Sequence, residues 1–372
     1  MSRARKLADL GAVYNGSALN NRNLVKNGSM LISSRTTSKT GITAGGYYTV
    51  DLFAANVTNI GTYTMSQETD APAGSGLNKS LKMACTVADA SPAAGDVLQI
   101  HHKIEGQDLQ HLCYGTSDAK TITLSFWVKS NVTGTYSVRL YNPNGTDRLN
   151  TQTYTINSGS TWEKKVLKFE GDTVRAISNT HGTDPLNIAW WLAAGSTFTS
   201  GTVSNGAWKN YTSGDDGAGH AVNMSSSTSN TWQITGVQLE VGEVATPFEI
   251  EDRHTTLRKV QRYIQLIGGG SYTGIGFGQS DGTVSRACTL NYIQEMRTSP
   301  SFSYQTTSPS NTGFIVTDRT AYDEPITAFG GLAAGVASCQ FNCSHANRGN
   351  GETHQIAVTN LTTSHIILSA EL

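Results

Sequence analysis

Short apolar alternations separated by turn residues constrain this 372-residue chain more than any other feature. In one stretch every second residue is apolar, namely Ile122, Leu124, Phe126 and Val128. Residues two apart in a strand share a face, so the pattern predicts a half-buried strand with Trp127 on the opposite face. Similar stretches recur over residues 23–250, and the chain is therefore predicted to be all-β.

Turn residues between these stretches indicate hairpins. Residues 138–141 and 150–154 flank Asn142, Pro143, Asn144 and Gly145. Proline presets one turn dihedral and Asn-Gly accepts positive φ, so this segment predicts a β-hairpin. Many antiparallel strands of this kind pack as two sheets, which predicts an N-terminal jelly-roll β-sandwich over residues 23–250.

The carboxyl-terminal third has a different organisation. Residues 251–264 carry an apolar stripe of Leu257, Val260 and Ile264 after a capping Asp252, which predicts a short linker helix. Residues 265–372 return to strand patterns and predict a small β-sandwich domain. A domain of this size gains stability when contacts with copies of itself bury more of its surface. We therefore expect a role in oligomerisation or receptor contact.

Composition excludes several function classes. The formal net charge is -1, which does not supply the positive field that sequence-independent nucleic-acid binding requires. No segment is long and apolar enough to insert into a membrane. Five cysteines, an odd count, argue against a disulfide framework and predict reduced core side chains in a chain that folds in a cytoplasm.

Residues 1–22 form a separate leader. It is basic, with Arg3 and Arg5, and carries the apolar residues Leu7 and Leu10. Two interpretations are open: a disordered tail, or a peptide that becomes ordered on a neighbouring protein.

No catalytic, metal or cofactor site is predicted. Carboxylates are sparse, and no nucleophile motif is present. His101 and His102 would lie on opposite faces of a strand and cannot share one ion. Cys339 and Cys343 fit a buried core better than a metal site, and the Asp-Gly segment around residue 216 fits a turn.

Aromatic side chains beside polar groups are the candidates for contact with a glycan. In the run 188–192, Trp190 follows the inward-facing stripe, so Trp191 should face outward. The alternative is that an outward tryptophan is covered by a loop, by the second domain or by another subunit. The glycan-contact candidates are Trp191, Trp127, Trp208 and Tyr211.

Several stretches together resemble the carbohydrate-binding-module-like jelly rolls of bacteriophage tail-fibre and related virion proteins. They correspond to the opening strand, a mid-domain strand, the closing strand with the following helix, and the fibre ending: NLVKNGSM (23–30), WEKKVLKF (162–169), ITGVQLEVG (234–242), ATPFE (245–249), VQRY (260–263), EMRTSP (295–300) and SAEL (369–372). The acidic residue that helps to hold a structural calcium in sugar-binding relatives is absent after the opening strand, where residues 31–35 stand instead.

The resemblance implies a non-enzymatic structural protein of the phage particle, commonly a homotrimer, that folds in the host cytoplasm. We expect a tail fibre or fibre-like appendage that attaches to a host surface glycan. The leader, through Arg3, Arg5, Leu7 and Leu10, would bind other virion proteins. The alternatives are a head fibre or decoration protein, a free carbohydrate-binding protein, and a glycan-cleaving spike.

Overall fold

A computed structural model describes residues 21–180, 185–269, 274–281, 283–305, 314–317, 323–345, 352–358 and 364–372. The chain divides into two compact units, Met1–Leu257 (unit 1) and Arg258–Leu372 (unit 2). Both are built from antiparallel sheets, so the all-β prediction is confirmed. Within the described residues, no helix is long and apolar enough to span a bilayer.

Two sheets make up unit 1. One has six strands in the order β1-β4-β5-β13-β7-β10, and the other has seven in the order β12-β9-β8-β11-β6-β3-β2. The strands are β1 (Ser38–Ile42), β2 (Gly46–Tyr47), β3 (Phe53–Thr58), β4 (Thr62–Glu68), β5 (Ser80–Val87), β6 (Val97–Ile104), β7 (Ile122–Ser130), β8 (Gly134–Asn142), β9 (Arg148–Ile156), β10 (Glu163–Phe169), β11 (Leu186–Ala194), β12 (Lys209–Asn210) and β13 (Thr231–Val241).

The two sheets bury their apolar faces on each other. Phe126 of β7 meets Trp190 of β11 with ring centroids 5.9 Å apart and Tyr154 of β9 at 5.1 Å, both edge to face. The alternation predicted along β7 is therefore the core face of the six-stranded sheet. Val87, at the end of the apolar stripe of β5, departs from its pattern because it is 55% exposed.

Helices are short. Unit 1 contains a 3₁₀ helix (Gly106–Leu112), α1 (Ser196–Thr199), α2 (Ser213–Asp216) and a second 3₁₀ turn (Met224–Ser226). The predicted linker helix is α3 (Arg253–Gln261), and the unit boundary falls within it. Asp252 Oδ1 accepts from the backbone N–H groups of His254 and Thr255, at 2.9 and 3.0 Å, as a helix cap. Ile264 begins a strand instead of closing the helical stripe.

Unit 2 has a core of its own between a three-stranded sheet, β14-β23-β17, and a seven-stranded sheet, β19-β18-β22-β15-β16-β21-β20. The elements are β14 (Ile264–Gly268), β15 (Gly274–Ser280), β16 (Val284–Asn291), β17 (Ser301–Gln305), β18 (Phe314–Thr317), β19 (Asp323–Pro325), β20 (Ala328–Ala334), β21 (Ser338–Ser344), β22 (Thr353–Val358) and β23 (His365–Ser369).

Candidate functional site

The outer face of the seven-stranded sheet carries a row of polar side chains that are hydrogen-bonded to one another. Asn56 Nδ2 donates to Gln99 Oε1 at 3.1 Å, and His101 Nε2 bonds to the same oxygen. Asn187 Nδ2 lies 3.5 Å from His101 Nδ1. The four side chains come from β3, β6 and β11, which are neighbours in the sheet. We call Asn56, Gln99, His101 and Asn187 the amide–imidazole row.

This row holds a neutral imidazole. Desolvation, followed by the positive charges of Arg139 and Lys103, keeps the pKa of His101 well below its usual range. A neutral ring that donates from Nε2 to Gln99 leaves Nδ1 as the acceptor for Asn187. Asn187 Oδ1 is buried without a hydrogen-bond partner among the described residues. The row therefore contains directed donors and acceptors but no net charge, and its members Gln99 and Asn187 are 2% and 8% exposed.

Two tyrosines continue the same face. Tyr141 of β8 is the cross-strand partner of Asn187, and its ring meets that of Tyr211 edge to face, with centroids 5.5 Å apart and an interplanar angle of 72°. The Tyr141 hydroxyl donates to Asp147 Oδ2 at 2.5 Å. Burial, and then the neighbouring Asp147 carboxylate, raise the pKa of Tyr141, so the hydroxyl stays protonated. Both rings are half-buried and can present apolar surface.

A buried ion pair fixes these rings. Arg139 Nε bonds to Asp216 Oδ1, both side chains are 8% exposed, and the guanidinium lies 4.9 Å from the centroid of the Tyr141 ring. Tyr211 donates to Asp216 Oδ2 at 3.4 Å. The pair therefore holds one tyrosine by cation–π contact and the other by a hydrogen bond. The Asp-Gly segment that was interpreted as a turn thus also positions this site.

The segment that carries α1 and α2 covers the rest of the face. Trp191 of β11 is 1% exposed and donates from Nε1 to the carbonyl of Asp216 at 2.9 Å. Its ring packs at a tilt of 37° on Phe198, with centroids 5.3 Å apart. A side chain at Gly217 would come within 3.1 Å of the indole. Trp191 does face away from the core, but a loop of its own unit covers it. This placement matches the alternative left open by the sequence.

The four predicted glycan-contact residues do not form one site. Tyr211 lies at the tyrosine pair, whereas Trp191 is covered. Trp208 packs edge to face on Tyr114 at 5.7 Å and donates from Nε1 to the carbonyl of Glu170 at 2.7 Å. Trp127 lies on the outer face of the other sheet. Contact with a glycan stays a prediction for all four.

Sequence reasoning missed Tyr141, Gln99 and Asn187 and considered His101 only as a metal ligand. Their common feature is the strand periodicity, since each occupies the register opposite to the core stripe of its strand. The pairing of β6 with β11 and of β11 with β8 brings them together. The alternation could have shown that each faces outward, but not that they are neighbours.

Other features of unit 1 are less suited to a ligand of this kind. A cavity of about 360 Å³ is lined by Leu109, Gln110, Cys113, Tyr114, Thr116, Asp118 and Ile177 and includes neither tyrosine of the pair. Among the described residues, no group of three or more His, Cys, Asp and Glu side chains could hold a metal ion. In residues 31–35, where the sequence lacks an acidic residue, Arg35 lies 3.8 Å from the buried carboxylate of Asp51.

The remaining sequence predictions concern the cysteines and the leader. Cys288, Cys339 and Cys343 form no disulfide and are buried in the core of unit 2. Cys85 is buried in unit 1, whereas Cys113 is half-buried. Arg3, Arg5, Leu7 and Leu10, the predicted virion anchor, lie outside the described residues.

No family model matches this chain, and no curated protein matches it. Solved structures with a similar fold include the enzymatically active domain of tailspike protein 4 of bacteriophage CBA120, at 15% identity and a TM-score of 0.31, covering 59% of this chain and 21% of that chain. A family 11 carbohydrate-binding module from Clostridium thermocellum, in complex with a β-1,3-1,4-mixed-linked tetrasaccharide, is 10% identical with a TM-score of 0.27 and covers 56% of this chain and 98% of its own.

A third similar structure is TmCBM61 in complex with β-1,4-galactotriose, at 8% identity and a TM-score of 0.27, covering 59% of this chain and 99% of that one.

Proposed function

We propose that unit 1 binds a neutral glycan on the outer face of its seven-stranded sheet. The observation that carries the proposal is the pair of half-buried rings, Tyr141 and Tyr211, beside the amide–imidazole row. Sugar rings present apolar C–H patches and a rim of hydroxyls, so they match an aromatic surface flanked by directed hydrogen-bonding groups.

Charge supports a neutral ligand at this face. Asp216 is neutralised by Arg139, and the imidazole is uncharged. Asp147 accepts the Tyr141 hydroxyl through Oδ2, and its carboxylate keeps a negative charge at this face. An acidic sugar would meet this carboxylate and gain no counter-charge from the amides.

We further propose that the chain is a non-enzymatic structural protein of a phage particle, a tail fibre or fibre-like appendage that attaches to host glycans. The support is the sequence resemblance of its strands and ending to such proteins. A free carbohydrate-binding protein would have the same glycan face. The two are distinguished by whether antibodies against unit 1 label purified particles.

Replacement of Tyr141 tests the glycan face. We expect Tyr141→Ala to weaken binding to the best ligand of a neutral-glycan array by about tenfold, because a stacked ring and its ordered hydroxyl are lost together. Tyr141→Phe keeps the ring and is the matched control, with less than about threefold loss. Equal affinity of Tyr141→Ala and the wild type, with an unchanged circular dichroism spectrum, would place the ligand elsewhere.

A further inference from the structure

A second arrangement of aromatic and charged side chains lies on the outer face of the six-stranded sheet, at the pair β7 and β10. Along β7, Phe126 and Val128 point into the core, so Trp127 and Lys129 point outward. Lys164 of β10 is the direct cross-strand partner of Trp127.

Trp162 completes the arrangement. It directly precedes β10, and Lys129 Nζ lies 5.2 Å from the centroid of its ring. Its Nε1 donates to Asp70 Oδ1 at 3.1 Å, and the other oxygen of Asp70 pairs with Lys129. Tryptophan and lysine thus alternate over four neighbouring positions of the two strands, Trp127, Lys129, Trp162 and Lys164, which we call the tryptophan–lysine square.

The backbone leaves room for these rings. Gly236 of β13 has a φ of +60°, and a Cβ atom there would lie 3.1 Å from Trp127 Cδ1 and 2.8 Å from Leu77 Cδ1. A glycine inside a strand often marks a bulge or a close approach, and here it accommodates the indole edge. Diagonal cross-strand neighbours lie about 7–8 Å apart, so one ligand can reach both half-buried indoles.

Positive charge on this face exceeds negative charge. Burial opposes ionisation of Asp70, but hydrogen bonds from Lys129 and Trp162 outweigh it and lower the pKa of this carboxyl, so its charge offsets that of Lys129. Across the parts of the chain that the structure describes, the ammonium groups of the other lysines of this face have neither an ion pair nor a hydrogen-bond partner. They are Lys82, on the strand beyond β13, and Lys164 and Lys168 of β10.

We propose that the tryptophan–lysine square is a second glycan site, selective for acidic sugars, in which the indoles contact the sugar ring and Lys164 binds its carboxylate. Charge complementarity selects this ligand, because the face carries unpaired ammonium groups beside aromatic surface. A nucleic acid fits less well, since Asp70 and Glu68 lie on the same face and the net charge of the chain is -1. The site is separate from the polar face of the seven-stranded sheet.

Trigalacturonic acid and its methyl ester form a matched pair of probes, because esterification removes the charge and keeps the rings. With the full-length chain in isothermal titration calorimetry, we expect the acid to bind at least about tenfold more tightly than the ester. Trp162→Ala and Lys164→Gln should each weaken binding of the acid by about tenfold. Lys39→Gln, at the exposed opposite edge of the same sheet, is the matched control and should change affinity less than twofold.

Three outcomes would overturn the proposal: equal affinity for acid and ester, equal weakening by the Lys39 and Lys164 substitutions, or tighter binding of a thymidine oligonucleotide than of the acid. Raising the salt concentration from about 0.1 M to about 1 M should weaken acid binding to wild type and leave Lys164→Gln less affected. Unchanged circular dichroism spectra show that each variant is folded.

Discussion

Buried histidines couple the stability of unit 1 to pH. His102 is 1% exposed, and its ring packs at a tilt on Phe53 with centroids 4.7 Å apart. Its Nδ1 donates to the Leu52 carbonyl at 3.0 Å. Desolvation lowers its pKa to about 3, and burial also lowers the pKa of His220 to about 4. Both side chains are therefore neutral in the folded protein at every pH above these values.

We expect the free energy of unfolding to fall as the pH drops from about 6.5, the pKa of an unfolded histidine, toward the folded pKa values. In this window the unfolded chain binds protons that the folded chain excludes, and each histidine contributes a slope of up to about 1.4 kcal/mol per pH unit. His102→Asn keeps a donor for Leu52 and removes the titration, so urea unfolding between these pH values should show a shallower slope. An identical slope in the variant would contradict the assignment.

At the scale of elements, residues 23–30 pack so closely against the backbone of β13 that no side chain fits at Gly28. The Gly28 carbonyl accepts the N–H of Val237 at 2.9 Å, and a Cβ atom at Gly28 would lie 2.1 Å from the Val237 carbonyl oxygen. Asn27 meanwhile donates to the carbonyls of Ile32 and Asp51, both at 2.9 Å. The segment that resembles the opening strand of fibre jelly rolls is a turn in this structure. It is held by Asn27 and Gly28, and Glu249 Oε2 accepts the backbone N–H of Asn23 at 3.0 Å.

Gly28→Ala should lower the free energy of unfolding by about 1–3 kcal/mol, because either the segment or β13 must shift to admit the methyl group. Gly95→Ala is the control, since a Cβ atom there meets nothing within 4 Å and Gly95 is exposed. Thermal unfolding followed by near-ultraviolet circular dichroism compares the two. A Tm for Gly28→Ala equal to that of Gly95→Ala would contradict the close contact.

The alternation of apolar residues predicted the strands, but it did not predict which side chains meet at the candidate site. Alternation is a local property, so the core face of β7 and the inward position of Trp190 could be read from adjacent residues. The contact of Tyr141 with Tyr211 and the cover over Trp191 depend on segments that are distant in sequence. Periodicity gives the face of a side chain, whereas strand pairing and loop path decide its neighbours.

At the scale of the whole molecule, unit 2 exposes apolar side chains whose burial would stabilise a small domain. Phe277, in the middle strand of the seven-stranded sheet, is 63% exposed, Ile293 58% and Tyr304 42%. Phe277 lies beside Thr289 and Gln355 on neighbouring strands and between glycines on its own strand. Exposed aromatic side chains are common at contacts between subunits, and we propose that unit 2 carries the subunit contact of the trimer that the sequence resemblance implies.

Light scattering on the purified full-length chain tests this proposal, and we expect a mass three times the chain mass of 39.7 kDa. Phe277→Gln replaces the exposed ring by a polar side chain and should shift the population toward single chains at low concentration. Val87→Gln, at a 55% exposed valine of unit 1, is the matched control and should keep the trimer mass. A single-chain mass for the wild type at every concentration would contradict trimer formation in solution. Equal dissociation by both substitutions would contradict a role of Phe277 in the contact. Loss of the trimer in the Phe277 variant alone would place the subunit contact on the large sheet of unit 2, because Phe277 belongs to its central strand.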